Sequence, residues 1–129
     1  MEYVKSFRDL EVYKLSRKIS KEVYMVSKQF PTEEKYSITD QIRRSSRSIG
    51  AQIAEAWGKR KYEKHFVAKL SDADSEQFET QHWLEVAQEC QYLGDSEKSR
   101  LLDYCESVGK MLQSMIDKAS LFCNQNIKL

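Results

Sequence analysis

Apolar residues recur every three or four positions along most of this chain, which is the spacing of one buried face on an α-helix. Pro31 is expected to stop the first helix, Gly58 the second and Gly94 the third, because proline and glycine do not continue a helix well. Asp9 is the expected N-cap of the first helix. The predicted helices span about 10–29, 37–57, 63–93 and 96–123.

The apolar seam is most regular in the second and fourth helices. In the second helix it comprises Ile38, Ile42, Ser45, Ile49, Ile53 and Ala56. In the fourth helix it comprises Leu101, Cys105, Val108, Leu112, Met115, Ala119 and Phe122. Every connection is short, so sequential helices should be antiparallel neighbours. The predicted fold is all-α, an up-down-up-down antiparallel four-helix bundle formed by a single domain over residues 1–129.

The seam of the third helix contains two polar residues, Gln77 and Thr80, where apolar side chains are expected. Buried polar side chains need hydrogen-bond partners. Two interpretations remain open: a polar layer that fixes the register of the helices, or part of a ligand site. Fixing register is a known use of such residues, which favours the polar layer.

Composition agrees with a soluble helical protein. The chain has 129 residues, of which 40% are hydrophobic and 32% charged, with one proline and four glycines. No apolar run approaches the roughly 20 residues that span a bilayer, and the N-terminus lacks the apolar segment of a secretory signal. The three cysteines have no CxxC spacing and are interpreted as reduced, buried side chains. We therefore expect a cytoplasmic protein with no membrane partner.

The net charge of +1 conceals a strong segregation of charge along the chain. From Arg43 to Lys69 there are eight basic residues and two acidic ones, whereas Ser71 to Leu93 holds six acidic residues and no lysine or arginine. Basic side chains beside Trp57 and Tyr62 suit a single-stranded nucleic acid, since phosphates attract cations and bases stack on aromatic rings. The alternative is that the cations pair with acidic residues of the protein's own oligomer. The nucleic-acid-binding candidates are Arg43, Arg44, Arg47, Lys59, Arg60, Lys61 and Lys64.

The second helix also carries small residues opposite its apolar seam, namely Gly50, Ala51 and Ala54. Small residues on an outer face allow another helix to approach closely, so these three are candidates for an oligomer interface. Segments of net charge +6 and −6 suit a head-to-tail contact that closes a ring. The leading hypothesis is a homo-oligomeric scaffold.

Three aromatic residues near the N-terminus, Tyr3, Phe7 and Tyr13, support a different hypothesis. They could dock a partner helix, which would make the chain a protein–protein interaction module without nucleic-acid binding.

Candidate chemistry is sparse. His65 and His82 have no cysteine or carboxylate at a zinc-like spacing. Glu79 and His82 form a Glu-x-x-His pair, but a di-iron bundle needs a second such pair and two further glutamates on the facing helices. No serine lies in a glycine-rich elbow, and the sequence has no glycine-rich phosphate-binding loop. We expect no metal, no cofactor and no enzymatic activity.

Several motifs together are similar to a known family. They are F-x-D-L-x-V-[WY] at Phe7–Tyr13, F-P-x-E-E at Phe30–Glu34, Q-x-R-R at Gln41–Arg44 and S-I-x-x-x-I-A-E at Ser48–Glu55. The chain resembles, from Phe7 to about Phe122, the 23S ribosomal RNA intervening-sequence proteins, which are related to the accessory variability determinant of diversity-generating retroelements. The resemblance implies a ring-shaped homopentamer. It also implies, for the retroelement branch, RNA or DNA and a reverse transcriptase as partners.

Overall fold

The computed structural model describes residues 4–123, and these contain helices without any strand. The helices are α1 (Glu11–Ser27), α2 (Ile38–Gly58), α3 (Glu63–Glu89), α4 (Asp95–Asp117) and α5 (Ala119–Phe122). Two short 3₁₀ turns, Phe7–Asp9 and Thr32–Glu34, precede α1 and α2 respectively. None of the helices in this part of the chain is both long and apolar enough to cross a membrane.

The four long helices form the expected all-α bundle. Both α1 and α3 pack against α2 and α4, whereas the diagonal pairs do not touch. The predicted seams face inward, and Ile42, Phe66, Leu84 and Leu112 are fully buried. Burying each such side chain contributes about 1.5–3 kcal/mol, so the seams account for most of the driving force for the fold.

Helix α1 ends at Ser27, two residues before the predicted end. The amides of Gln29 and Phe30 donate to the carbonyls of Val26 and Ser27, three residues back, so the chain tightens into turns before Pro31. The predicted cap was also wrong, because Leu10 precedes the helix and makes no side-chain capping bond.

Helix α3 ends at Glu89, four residues before the predicted end, and Gly94 is not its stop. Gln91 instead adopts the left-handed conformation, with φ of 63°. The amide of Gln91 donates to the carbonyl of Gln88 at 2.8 Å, and that of Tyr92 to the carbonyl of Ala87 at 2.9 Å. These two bonds form a Schellman motif, and they offset the roughly 1–2 kcal/mol that a side chain costs in this conformation.

The predicted fourth helix is divided in two. Gly94 precedes α4, and its amide donates to the Glu97 carboxylate at 3.3 Å. The helix then breaks at Lys118, where φ and ψ are −110° and 25°. The break turns α5 toward α3, so that the Phe122 ring stacks on Phe66 with the centroids 5.8 Å apart.

The polar residues in the α3 seam are satisfied within the chain. Thr80 and Ser45 share a hydrogen bond of 2.9 Å between α3 and α2, and the Gln77 amide donates to Asp74 at 2.9 Å. A Cβ on Gly109 of α4 would lie 3.0 Å from the Gln77 nitrogen, so glycine is what lets α4 approach this layer. The arrangement is the one that a register-fixing polar layer requires.

The two loops at one end of the bundle are joined by a contact that we call the loop latch (Phe30, Glu34 and Tyr92). The Tyr92 hydroxyl donates to Glu34 at 2.7 Å, and the Phe30 ring lies 5.7 Å from the Tyr92 ring. Hydrogen bonds from Ser37 and then Tyr92 lower the pKa of Glu34, while donation to Glu34 raises the pKa of Tyr92 to about 12. The F-P-x-E-E motif therefore has a structural role here.

Candidate interaction surfaces on α1, α2 and α3

The structure separates the seven candidate cations into two groups. Arg43, Arg44 and Arg47 lie in the first half of α2. Lys59, Arg60 and Lys61 lie in the turn that follows α2, and Lys64 lies in the first turn of α3. The twelve residues from Arg47 to Lys59 correspond to about 18 Å along the helix axis at 1.5 Å per residue. The seven residues therefore do not form one compact site.

Two members of the first group, Arg43 and Arg47, lie beside an aromatic ring of α1. Arg44 instead lines a surface hollow toward α3, together with Glu76 and Glu79. The Arg43 Nε donates to the Ser27 hydroxyl at 2.8 Å, and its guanidinium lies 4.8 Å from the centre of the Tyr24 ring. Lys28 lies 4.8 Å and Arg47 5.7 Å from the same ring. We call Tyr24, Lys28, Arg43 and Arg47 the Tyr24 cluster. Cation–π attraction holds the three positive charges together at the surface despite their mutual repulsion.

Helix α1 contributes cations that sequence analysis missed. A surface hollow of about 510 Å³ is lined by Arg17, Lys18, Ser20, Lys21, Tyr24 and Arg47. Arg17, Lys21 and Lys28 are spaced by four and seven residues and so share one helix face. The sequence shows this spacing, but the prediction for α1 considered only its apolar seam.

The second group lies at the opposite end of the bundle. Arg60 stacks on the Trp57 ring at 3.6 Å and donates its Nε to the Trp57 carbonyl at 2.9 Å. Lys59, Lys61 and Lys64 are exposed, so this turn presents positive charge to solvent. The exposed aromatic ring beside these lysines is that of Tyr62, whose centre lies 5.7 Å from the Lys61 Nζ.

None of the candidate cations has a carboxylate partner within the described residues. The ion pairs there join Glu11 to Lys14, Glu55 to Lys69 and Glu22 to Arg100. The carboxylates of α3 also take no part in these pairs; they are Glu63, Asp72, Asp74, Glu76, Glu79, Glu85 and Glu89. The described residues therefore form a basic surface on α1 and α2 and an acidic surface on α3. The two approach each other in a hollow lined by Arg44, Arg47, Glu76 and Glu79, but no ion pair joins these side chains.

The small residues of α2 border a depression that we call the α1–α2 groove. It has a volume of about 260 Å³, and its lining includes Phe7, Tyr13, Arg17, Arg47, Ala51 and Ala54. Ala51 is exposed and Ala54 half-buried, which leaves both accessible to another molecule. Among residues 4–123, no carboxylate lines this groove.

Gly50 does not lie on the outer face where it was expected. It is buried between α2 and α1, and a Cβ there would lie 3.0 Å from the Ser16 Oγ and 3.6 Å from the Tyr13 ring. Its small size is explained by the close approach of α1 within the same chain.

The N-terminal aromatic residues pack on their own bundle. The Phe7 and Tyr13 rings meet edge to face at 4.9 Å, and the 3₁₀ turn that carries Phe7 contacts α1 and α2. Both rings therefore form one wall of the α1–α2 groove instead of a free docking arm. Tyr3 lies outside the described residues.

Residues 4–123 contain no group of three His, Cys, Asp or Glu side chains that could hold a metal ion. In the Glu79-x-x-His82 pair, the Glu79 carboxylate accepts a hydrogen bond of 3.0 Å from the Trp83 indole, and the His82 ring lies edge-on to Trp83. The pair thus packs around an aromatic side chain of its own helix.

Comparison with known proteins gives matches that cover most of the bundle. The family model of the 23S rRNA-intervening sequence protein matches residues 8–114, which include every candidate cation and both alanines of the α1–α2 groove. The fold is also similar to the crystal structure of a protein of unknown function from the S23 ribosomal protein family of Bacteroides thetaiotaomicron. That comparison has a TM-score of 0.74 and 29% sequence identity, and covers 82% of this chain and 95% of the other. No curated protein is significantly similar.

Proposed function

The chain belongs to the family of 23S rRNA-intervening sequence proteins, and on that premise we propose that it is a non-enzymatic scaffold that self-associates into a homopentameric ring. The observation that carries the proposal is the pair of unneutralised surfaces on one protomer, basic on α1–α2 and acidic on α3. Opposite charges on different faces favour a heterologous contact, in which each copy offers one face to the copy before it and the other to the copy after it. Such contacts form a closed ring when the rotation between copies permits it.

Sedimentation equilibrium at micromolar concentration tests the proposal, with a pentamer mass as the expected result. Ala54→Glu should reduce the oligomer to monomers while helical circular dichroism is retained, because a charge and extra bulk would enter the half-buried groove floor. Ser99→Glu, which places the same side chain at an exposed position of α4, is the matched control and should assemble normally. A monomer that persists at every salt concentration would refute self-association.

A second activity, nucleic-acid binding, is favoured by the position of the unpaired cations. The Tyr24 cluster lies beside the first half of α2 and the Lys59–Lys64 segment follows the end of α2, and each combines cations with an aromatic ring. Phosphates attract such cations without regard to base sequence, and exposed rings can stack on unpaired bases. Repetition of the two clusters around a ring would increase a weak affinity through multivalency.

A salt titration of fluorescent single-stranded RNA and of duplex DNA tests this activity. The logarithm of the binding constant should fall linearly with the logarithm of the salt concentration, with a slope of about −0.9 per phosphate neutralised on B-DNA. The double substitution Arg60→Ala with Lys61→Ala should reduce both the affinity and the slope, whereas Lys110→Ala on α4 should change neither. Absence of binding at about 50 mM salt, where phosphate attraction is strong, would reject nucleic-acid binding and leave the scaffold role.

A further inference from the structure

Building on the proposed self-association, we propose which surfaces meet: the α1–α2 groove of one copy receives Phe78 and the acidic outer face of α3 from a second copy. In this pairing the exposed Phe78 ring is a knob that enters the groove, and the charges beside the ring and the groove are opposite in sign.

Phe78 is the knob, and its surroundings distinguish it from other exposed aromatic residues. Its side chain is 60% exposed on the face of α3 directed away from the core. Tyr24, Tyr36 and Tyr62 also have exposed rings, but each has a lysine or arginine within 6 Å. Phe78 has no cation or aromatic ring against it among the described residues, so its apolar surface is uncovered in the protomer.

Unpaired carboxylates lie on the same face of α3 as this uncovered ring. Glu85 and Glu89 follow Phe78 by seven and eleven residues, which are about two and three helical turns. Both are exposed, and neither takes part in an ion pair within residues 4–123. The stretch 71–93 contains no lysine or arginine. A single exposed phenylalanine is ordinary, but one placed on an unneutralised acidic face has the apolar centre and charged rim of an interface.

The α1–α2 groove has the complementary features. Its floor of Ala51 and Ala54 leaves space for a ring, and the aromatic wall of Phe7 and Tyr13 allows edge-to-face contact with it. Arg17 and Arg47 supply positive charge at the rim. Burying an aromatic anchor in such a pocket is the usual source of most binding energy at a protein interface.

The topology prevents one protomer from making this contact with itself. Helix α3 packs on α2 and α4 and has no contact with α1, and Phe78 lies on its outward face, so this ring cannot reach the groove between α1 and α2 of its own chain. The contact therefore joins different faces of successive copies, which is the arrangement that a ring needs.

Sedimentation equilibrium of four variants tests the pairing. Phe78→Ser should raise the dissociation constant by roughly tenfold or more, as loss of an interface anchor does, without loss of helical circular dichroism. Tyr36→Ser, at a position 85% exposed outside the groove and the α3 face, is the matched control and should associate like the wild type. Reversing the charges at the groove rim (Arg17→Glu with Arg47→Glu) or on the acidic face that carries Phe78 (Glu85→Lys with Glu89→Lys) should each weaken association to a similar extent.

The decisive variant combines the two reversals in one chain. Because every contact then has both charges exchanged, the quadruple variant should recover association to within a few-fold of the wild type. An oligomeric wild type whose assembly is unaffected by Phe78→Ser, or a quadruple variant no better than either reversal, would overturn the pairing while leaving self-association intact. A monomeric wild type would overturn both.

Discussion

Replacing Gly50, in the middle of α2, by alanine has two opposing effects on the stability of the protein. Alanine is favoured over glycine in a helix interior by about 0.8–1 kcal/mol. The new methyl group, however, would lie 3.0 Å from the Ser16 Oγ, which is held in place by donating to the Tyr13 carbonyl at 2.6 Å. Overpacking of this kind typically costs about 1–3 kcal/mol. We expect Gly50→Ala to destabilise the protein by about 1 kcal/mol overall.

The change in stability caused by the same substitution should have the opposite sign when the Ser16 hydroxyl is absent. In a Ser16→Ala background the nearest atom of that residue would be its Cβ, at 3.9 Å, which is an ordinary contact. The helix preference would then dominate, and Gly50→Ala should stabilise by about 0.8–1 kcal/mol. The coupling energy between the two positions is therefore about 2 kcal/mol, within the range found for residues in contact.

Urea unfolding followed by circular dichroism measures this double-mutant cycle. All four proteins must be compared at one concentration, because self-association raises the apparent stability. If Gly50→Ala changes the free energy of unfolding equally in both backgrounds, the steric account of Gly50 is wrong.

Three further predictions concern single groups. Ultraviolet titration should show one tyrosine that ionises at a higher pH than the others, because donation to Glu34 raises the pKa of Tyr92 to about 12. Glu34→Ala should lower this pKa. The raised pKa of Tyr92 means that its stabilising contribution is lost as pH rises toward that value, whereas the lowered pKa of Glu34 means that its contribution is lost under acid conditions. Burial raises the pKa of Cys105 to about 12, so iodoacetamide at pH 8 should modify the exposed Cys90 first and Cys105 only after unfolding; equal rates would contradict this. Thr80→Val should lower the free energy of unfolding by about 1 kcal/mol through loss of its bond to α2, and an unchanged urea midpoint would contradict the polar-layer account.

The bundle itself could be predicted because its signal is repeated over many residues. Each seam places several apolar side chains on one face, so a single misread position does not alter the assignment. The ends of the helices were harder to predict, because each end depends on a single local pattern of hydrogen bonds. Gln91 takes the left-handed position for which glycine is the usual signal, and its two backbone hydrogen bonds depend on contacts that the sequence pattern does not display.

The interaction surfaces were only partly predictable for a related reason. A helical wheel shows which residues oppose the seam of one helix, but not how closely the neighbouring helix approaches. Gly50 was therefore assigned to the outside although α1 covers it, and Arg17 and Lys21 were overlooked although they extend the basic surface of α2. Locating a groove between two helices requires the packing of both.

The loop latch has a consequence for the kinetics of folding. Tyr92 and Glu34 lie 58 residues apart in sequence, whereas the α1–α2 and α3–α4 pairs are hairpins of local contacts. Local contacts tend to form early, because closing a short loop loses less chain entropy than closing a long one. We therefore expect the latch to close after the rate-limiting step, so that Tyr92→Phe accelerates unfolding in a stopped-flow chevron and leaves the refolding rate nearly unchanged. The latch would then prolong the lifetime of the folded chain, which the self-association proposed above requires.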